Sequence, residues 1–273
     1  MAREISRSVA ASRIAFDSAA PRDLLRSVPV EHPVNIIYGN VPYAVMMATP
    51  ADLEDFAIGF SLTEGIIEKA DEIRRVTVED GDKGALVTVE LTPGRFRQHL
   101  ARGRNLAGRT GCGVCGVEKL DDLPEAGRVS GIAASISRNA ISAAVRALDE
   151  HQPLNDITHA VHGAAWCAAD GAILQVREDV GRHNALDKLI GALLRGGVDP
   201  AEGFLLITSR CSFEMVEKTA RFGARLLVAV SAPTSLALER ARALGVGVVA
   251  IARRDGALDF TNYLSAEPVR TVA

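Results

Sequence analysis

Cys112-Gly113-Val114-Cys115-Gly116 places two thiols two residues apart on a glycine-rich stretch, a pattern that can bind metal, exchange disulfides or carry sulfur. A structural zinc site needs four protein ligands. Partners for this pair would have to come from Cys167, Cys211 or a histidine, none at a familiar spacing. Zinc deaminases also use Cys-x-x-Cys, but with a Pro before the first Cys and an upstream His-x-Glu; here Gly111 precedes it and no His-x-Glu lies upstream. A thioredoxin-like site would have the right spacing, yet a basic stretch rather than an apolar strand leads into Gly111. A persulfide carrier needs an accessible thiol in electropositive surroundings. Arg95, Arg97, Arg102, Arg104 and Arg109 supply that as a mobile basic arm running into the pair, although such runs are more commonly solvated faces. Cys167, in an Ala-rich run, reads as a buried inert thiol. Cys211, beside Arg210, reads as a thiol whose pKa could be lowered.

The elements that must position these groups follow from the apolar patterning. The 273 residues suffice for one large domain or two small ones. A net charge of −3 argues against a generic nucleic-acid binder. Four cysteines are too few for a disulfide framework, and no signal-like or long apolar segment is present, so a reducing cytoplasm without membrane attachment is the expected setting. Aromatics at 4% against 48% hydrophobic residues leave the interior to Ala, Val, Leu and Ile, as in mixed α/β packing.

Residues 1–32 show no sustained period and read as a partly ordered lead-in. Residues 33–125 read as an N-terminal α+β part ending in the basic arm and the Cys-x-x-Cys loop. Within it, Val34 to Tyr38 and Val41 to Met47 flank Gly39-Asn40 as a hairpin, and Arg75 to Glu79 with Ala85 to Leu91 form a second. Thr49-Pro50-Ala51-Asp52 reads as a helix start capped by Thr49, with Leu53, Phe56, Ala57 and Phe60 on one apolar face and Gly65 as its stop. Residues 126–273 read as an α/β core. Strand-length runs at Ala172 to Val176, Phe204 to Ile207, Leu226 to Val230 and Val246 to Ile251 alternate with amphipathic helices, which implies a mixed, largely parallel sheet flanked by helices. Ligands of such sheets sit at the carboxyl ends of strands. Those ends are polar here: Arg177-Glu178-Asp179, Thr208-Ser209-Arg210, Ser231-Ala232-Pro233-Thr234 and Arg253-Arg254-Asp255-Gly256. Three of the four supply arginine, which as a set suits phosphate oxygens. His159, His162 and His183 are structural histidines by default, with His183 four residues before Asp187.

Several segments resemble, in order, the formate dehydrogenase accessory sulfurtransferase family, also described as its sulfur carrier family. They are Thr49 to Glu54 with Gly59 to Ile67, Gly111 to Gly116, Thr158 to His162, Glu178 to Lys188, Ser212 to Val216 and Ser231 to Ala237. The resemblance implies a cytidine-deaminase-like core without deaminase chemistry. It also implies transfer of persulfide sulfur from a cysteine desulfurase to a molybdenum or tungsten bis-pyranopterin guanine dinucleotide cofactor, before insertion into the catalytic subunit of formate dehydrogenase. Cys112 then matches the persulfide position and Cys115 its partner thiol. The resemblance points to Arg210, His162, His183 and the segment Ile251-Ala252-Arg253-Arg254-Asp255-Gly256 for the cofactor, to no intrinsic metal, and to a homodimer. The chain departs from the family pattern at His159, at Ser209 and in the last segment, which lacks the aromatic residue and final Arg of Phe-x-Arg-x-Gly-Arg. A cofactor-binding chaperone without sulfur transfer and a thiol-disulfide oxidoreductase are the alternatives.

Overall fold

The Gly39-Asn40 turn joins β3 (His32–Tyr38) to β4 (Val41–Ala48), and Gly39 at φ +63° supplies the left-handed backbone that a tight turn requires. The structure, a computed structural model, describes residues 3–14, 16, 22–102, 126–131 and 134–264. The second expected hairpin is also present, as β5 (Ile73–Gly81) and β6 (Gly84–Leu91). The four strands form a sheet in the order β4-β3-β6-β5, with β3 and β6 parallel.

Residues 6–13 and 22–29 fold more than their sequence pattern suggests. β1 (Ser6–Arg13) and β2 (Arg22–Pro29) pair antiparallel through eight rungs, from Ser6↔Pro29 to Arg13↔Arg22. The basic stretch likewise begins as a helix, α2 (Pro93–Arg102). Arg95 is buried there against Glu68 at 3.0 Å and Glu72 at 3.1 Å, and His99 stacks 4.8 Å from Tyr38, so this end is anchored rather than a mobile arm. The remainder of the arm, with Arg104, Arg109, Cys112 and Cys115, lies outside the described residues.

The second sheet runs β12-β11-β10-β9-β7-β8. Its strands are β7 (His162–Ala168), β8 (Ile173–Asp179), β9 (Gly203–Ile207), β10 (Leu226–Ala229), β11 (Gly247–Arg253) and β12 (Gly256–Asp259). The sheet is mixed. β9, β10 and β11 are mutually parallel, while β7 pairs antiparallel with both β8 and β9, and β12 with β11. Besides α2, the described α-helices are α1 (Leu53–Thr63), α3 (Arg138–Ala147), α4 (Pro153–Thr158), α5 (Arg182–Arg195), α6 (Phe213–Phe222) and α7 (Ser235–Leu244). One face of the second sheet packs on α3 through Ile141, Val145, Leu206, Val228 and Val249. The other packs on α5, α6 and α7 through Trp166, Leu205, Ile207, Leu227 and Val248.

α1 joins the two sheets by crossing α5 at Gly59 and Gly191. A Cβ on Gly59 would collide with the Asp187 carbonyl, and one on Gly191 with the Asp55 carbonyl, so the backbones touch. Beside this crossing Lys218 Nζ donates to Asp187 at 2.8 and 2.9 Å and to Thr63 Oγ1 at 2.9 Å, all buried. Burial pushes the Asp187 carboxyl up, against the pull of Lys218.

Thr49 is not the cap of α1. The cap position is Asp52, in the left-handed region at φ +53°. Thr49 instead clamps the first part of the chain to the start of α5. Its N–H donates to Asp179 Oδ2 at 2.9 Å, its Oγ1 accepts from Val180 N–H at 3.2 Å, and its carbonyl accepts from Lys188 Nζ at 2.9 Å.

Candidate functional site

β8, β9, β10 and β11 end, and β7 begins, along one edge of the second sheet. Two polar groups gather there, on opposite faces of the sheet.

The first lies at the starts of α5 and α6. Asp179 ends β8 opposite His162 in the ladder and holds the chain at the entry to α5. Its buried carboxylate pairs with Lys188 at 2.6 Å and accepts from Gly181 N–H at 2.7 Å and Asn184 Nδ2 at 3.0 Å. Arg182 and His183 therefore occupy the first turn of a helix whose cap, Gly181, offers no side chain. His183 is buried and its Nε2 has no hydrogen-bond partner, as is also true of Arg182 Nε and Ser212 Oγ. Burial, with Lys218, Arg182 and His162 nearby, pushes the His183 imidazole down to about 3. Burial, then Arg182 and Arg210, lowers His162 as well, with Asp179 opposing. Both rings are thus neutral at pH 7, beside two guanidinium groups and two helix N-termini, a setting that suits an anionic ligand.

The second group is a cleft of about 420 Å³ between α3 and the β11–β12 turn. Arg138, Ser142 and Arg146, four residues apart on one stripe of α3, face Arg253, Arg254 and Gly256 across it. The turn is set by a bulge between Ala250 and Arg253, where Ile251 takes φ +53°, an uncommon backbone for a β-branched residue. Arg254 pairs with Asp149 at 3.1 Å and its carbonyl accepts from Arg146 Nη2 at 3.1 Å. Apart from its chain neighbours, no described residue places an atom within 4 Å of where a Gly256 Cβ would stand, so the described residues leave that backbone open.

The segment 251–256 and Arg210 thus share one sheet edge, two strand spacings or about 10 Å apart, although His162 and His183 approach it from the α5 face. Ala252 is buried in the core beneath α3 and lines the inner wall of the cleft. Cys211 is not an activated thiol. It is fully buried at the β9–α6 junction, and burial pushes its thiol up to about 12, so proximity to Arg210 in sequence does not activate it. Cys167, pushed by burial to about 12, is inert as expected. Asp187, four residues after His183, accepts from Lys218 and Thr63.

Sequence reasoning did not single out Arg138 and Arg146. Ser137, whose side chain caps α3 through Ala140 N–H at 3.1 Å, followed by Ile141, Ala144 and Val145 at helical spacing, is the signal that marks them. Among the described residues, no group of three or more His, Cys, Asp or Glu side chains is arranged to hold a metal ion. No described helix is long and apolar enough to cross a membrane.

Residues 29–267 match the family model described as the FdhD/NarQ family. The protein named sulfur carrier protein FdhD in Xanthomonas euvesicatoria pv. vesicatoria is 48% identical over 236 residues, covering 86% of this chain and 83% of the relative. The protein of the same name in Agrobacterium fabrum is 46% identical over 262 residues, 94% of each chain. A crystal structure from Desulfotalea psychrophila, described as a formate dehydrogenase accessory protein, superposes with a TM-score of 0.73 at 25% identity, covering 94% of this chain and 97% of that one.

Proposed function

The chain belongs to the FdhD/NarQ family, and from that membership we propose that it carries persulfide sulfur from a cysteine desulfurase to a molybdenum or tungsten bis-pyranopterin guanine dinucleotide bound as its substrate, before formate dehydrogenase receives it. The observation that carries the acceptor half is the arginine-lined cleft beside β11. At about 420 Å³ it suits one nucleotide end rather than the whole bis-dinucleotide. Guanidinium groups there can bind phosphate oxygens in bidentate fashion, and the open backbone at Gly256 admits close approach. Arg210 and Arg182, farther along the edge, extend the positive surface.

Sulfur chemistry falls to Cys112 and Cys115. The Cys112 thiolate attacks the outer sulfur of the donor's persulfide. One S–S bond forms, the donor's own breaks, and the donor leaves as a thiolate. Release of that sulfur as sulfide needs two electrons. Attack of the Cys115 thiolate on the Cys112 sulfur supplies them and leaves a Cys112–Cys115 disulfide, which an external thiol then reduces.

Two measurements test the two halves. Incubation with desulfurase and cysteine adds one thiol-removable sulfur to Cys112, and Cys112→Ala fails to restore formate dehydrogenase activity in cells lacking this protein. Restoration by Cys112→Ala sinks the sulfur relay and leaves a cofactor-holding chaperone. Gly256→Ala, whose methyl group enters open space, weakens GDP binding about tenfold, or about 1.4 kcal/mol, without changing the thermal midpoint. Unchanged GDP affinity would remove this turn from the site.

A further inference from the structure

The ribbon of β1 and β2 is used by neither the core nor the proposed sulfur chemistry, and the family match begins at residue 29, where the ribbon ends. Its eight rungs span about 26 Å at about 3.3 Å per residue. Among the described residues no third strand pairs with it; β2 rests against α4, and most of the ribbon's residues are exposed.

Alternation sorts its side chains. The rungs Arg7↔Val28, Val9↔Arg26, Ala11↔Leu24 and Arg13↔Arg22 share one face, so all four arginines of the two strands point the same way. The acidic residue of these strands, Asp23, lies on the opposite face with serines, Ala10, Pro29 and the exposed Leu25. Arg7 reaches Glu4 at 3.1 Å. Arg13, Arg22 and Arg26 have no carboxylate partner among the described residues, and Arg13 stands directly across from Arg22. Like charges facing each other destabilise a ladder, and a two-stranded ribbon packed mainly at α4 gains little stability from elsewhere. An anionic surface laid across this face would relieve both problems.

The face also exposes Leu24 (39%) and Val28 (37%) between the arginines. We infer that the β1–β2 ribbon is a docking arm whose arginine face receives an acidic protein surface carrying apolar residues between its carboxylates. A phosphate backbone offers nothing to Leu24 and Val28. The described residues of this face include no aromatic ring for base stacking, and the whole chain's charge of −3 opposes a polyanion. A second copy presenting the same face would repel it.

The test uses the full chain and a labelled synthetic peptide of alternating glutamate and valine, followed by fluorescence anisotropy. Wild type binds, with affinity falling as salt rises. Arg13→Glu with Arg22→Glu weakens binding by at least about tenfold. Arg13→Gln with Arg22→Gln, which relieves the repulsion and keeps the ribbon, also weakens it. Ser8→Glu with Ala10→Glu makes the same number of acidic substitutions on the opposite face and leaves binding nearly unchanged. An unchanged far-UV dichroism spectrum and a cooperative urea transition in every variant verify that the core is folded. The inference is overturned if both faces respond equally, if the Gln pair binds as wild type does, or if a single-stranded oligonucleotide or an anionic phospholipid vesicle binds the arm more tightly than the peptide.

Discussion

His183 and His162 show that a residue's surroundings decide its charge more than its type does. His183 is held at about 3 against an ordinary 6.5, so between those values the unfolded chain binds a proton that the folded one refuses. Its stabilising contribution is complete above pH 6.5 and falls as pH drops through that window, by about 1.4 kcal/mol per unit. Between pH 7 and pH 5 this residue alone should remove about 2 kcal/mol, with His162 adding in the same direction. Urea unfolding at the two pH values measures it. His183→Gln should flatten the acid slope, and an unchanged slope would place the sensitivity elsewhere. The two histidines were legible as ligand-side candidates only through family resemblance, since neither spacing nor composition reveals burial. Cys211 makes the same point in reverse: adjacency to Arg210 suggested a lowered pKa, and a fully buried position between β9 and α6 raises it.

At the scale of elements, the strongest constraint is the α1–α5 crossing. Gly59→Ala would push a methyl group into the Asp187 carbonyl, and neither helix can retreat without disturbing the buried Lys218–Asp187–Thr63 contacts. The expected cost is about 3 kcal/mol, the upper end of overpacking, read as a fall in the urea midpoint at unchanged slope. A loss below about 0.5 kcal/mol would mean that the helices part easily. The two N-terminal hairpins and α5, α6 and α7 were readable because alternation, Gly39-Asn40 and apolar stripes are local signals. β7 was not. Its His-Gly-Ala-Ala-Trp-Cys-Ala sequence lacks β-branched residues, and it becomes a strand because β8 and β9 pair on both sides and both sheet faces are covered. Thr49 likewise resembled a cap because capping is local, whereas its partners at Asp179, Val180 and Lys188 are some 130 residues away.

For the whole molecule, the boundary that composition suggests near residue 125 does not divide the core. Tyr38, Phe56 and Phe60 from the first part share one continuous apolar cluster with Leu186, Leu189, Trp166 and Phe222 from the second. The Arg177 and Arg195 guanidinium groups reach Asp55 at 2.7 Å, and Asn184 Nδ2 reaches the Met47 carbonyl at 2.8 Å. A fragment of residues 126–273 would expose the α5 face that α1 covers and leave Lys218 and Asp187 without Thr63. A fragment of residues 1–125 would leave α1 with its most buried side bare. Each half expressed alone should therefore lack a cooperative transition, and the intact chain should unfold in one step, with far-UV dichroism and Trp166 fluorescence giving the same midpoint. Two separated midpoints, or a folded 126–273 fragment, would show the halves to be independent. The coupling matters for the site because the Thr49 clamp ends at Asp179 and Lys188, the residues that set the entry to α5. A perturbation of the first sheet is therefore transmitted to Arg182 and His183 at the edge where the ligand is proposed to bind.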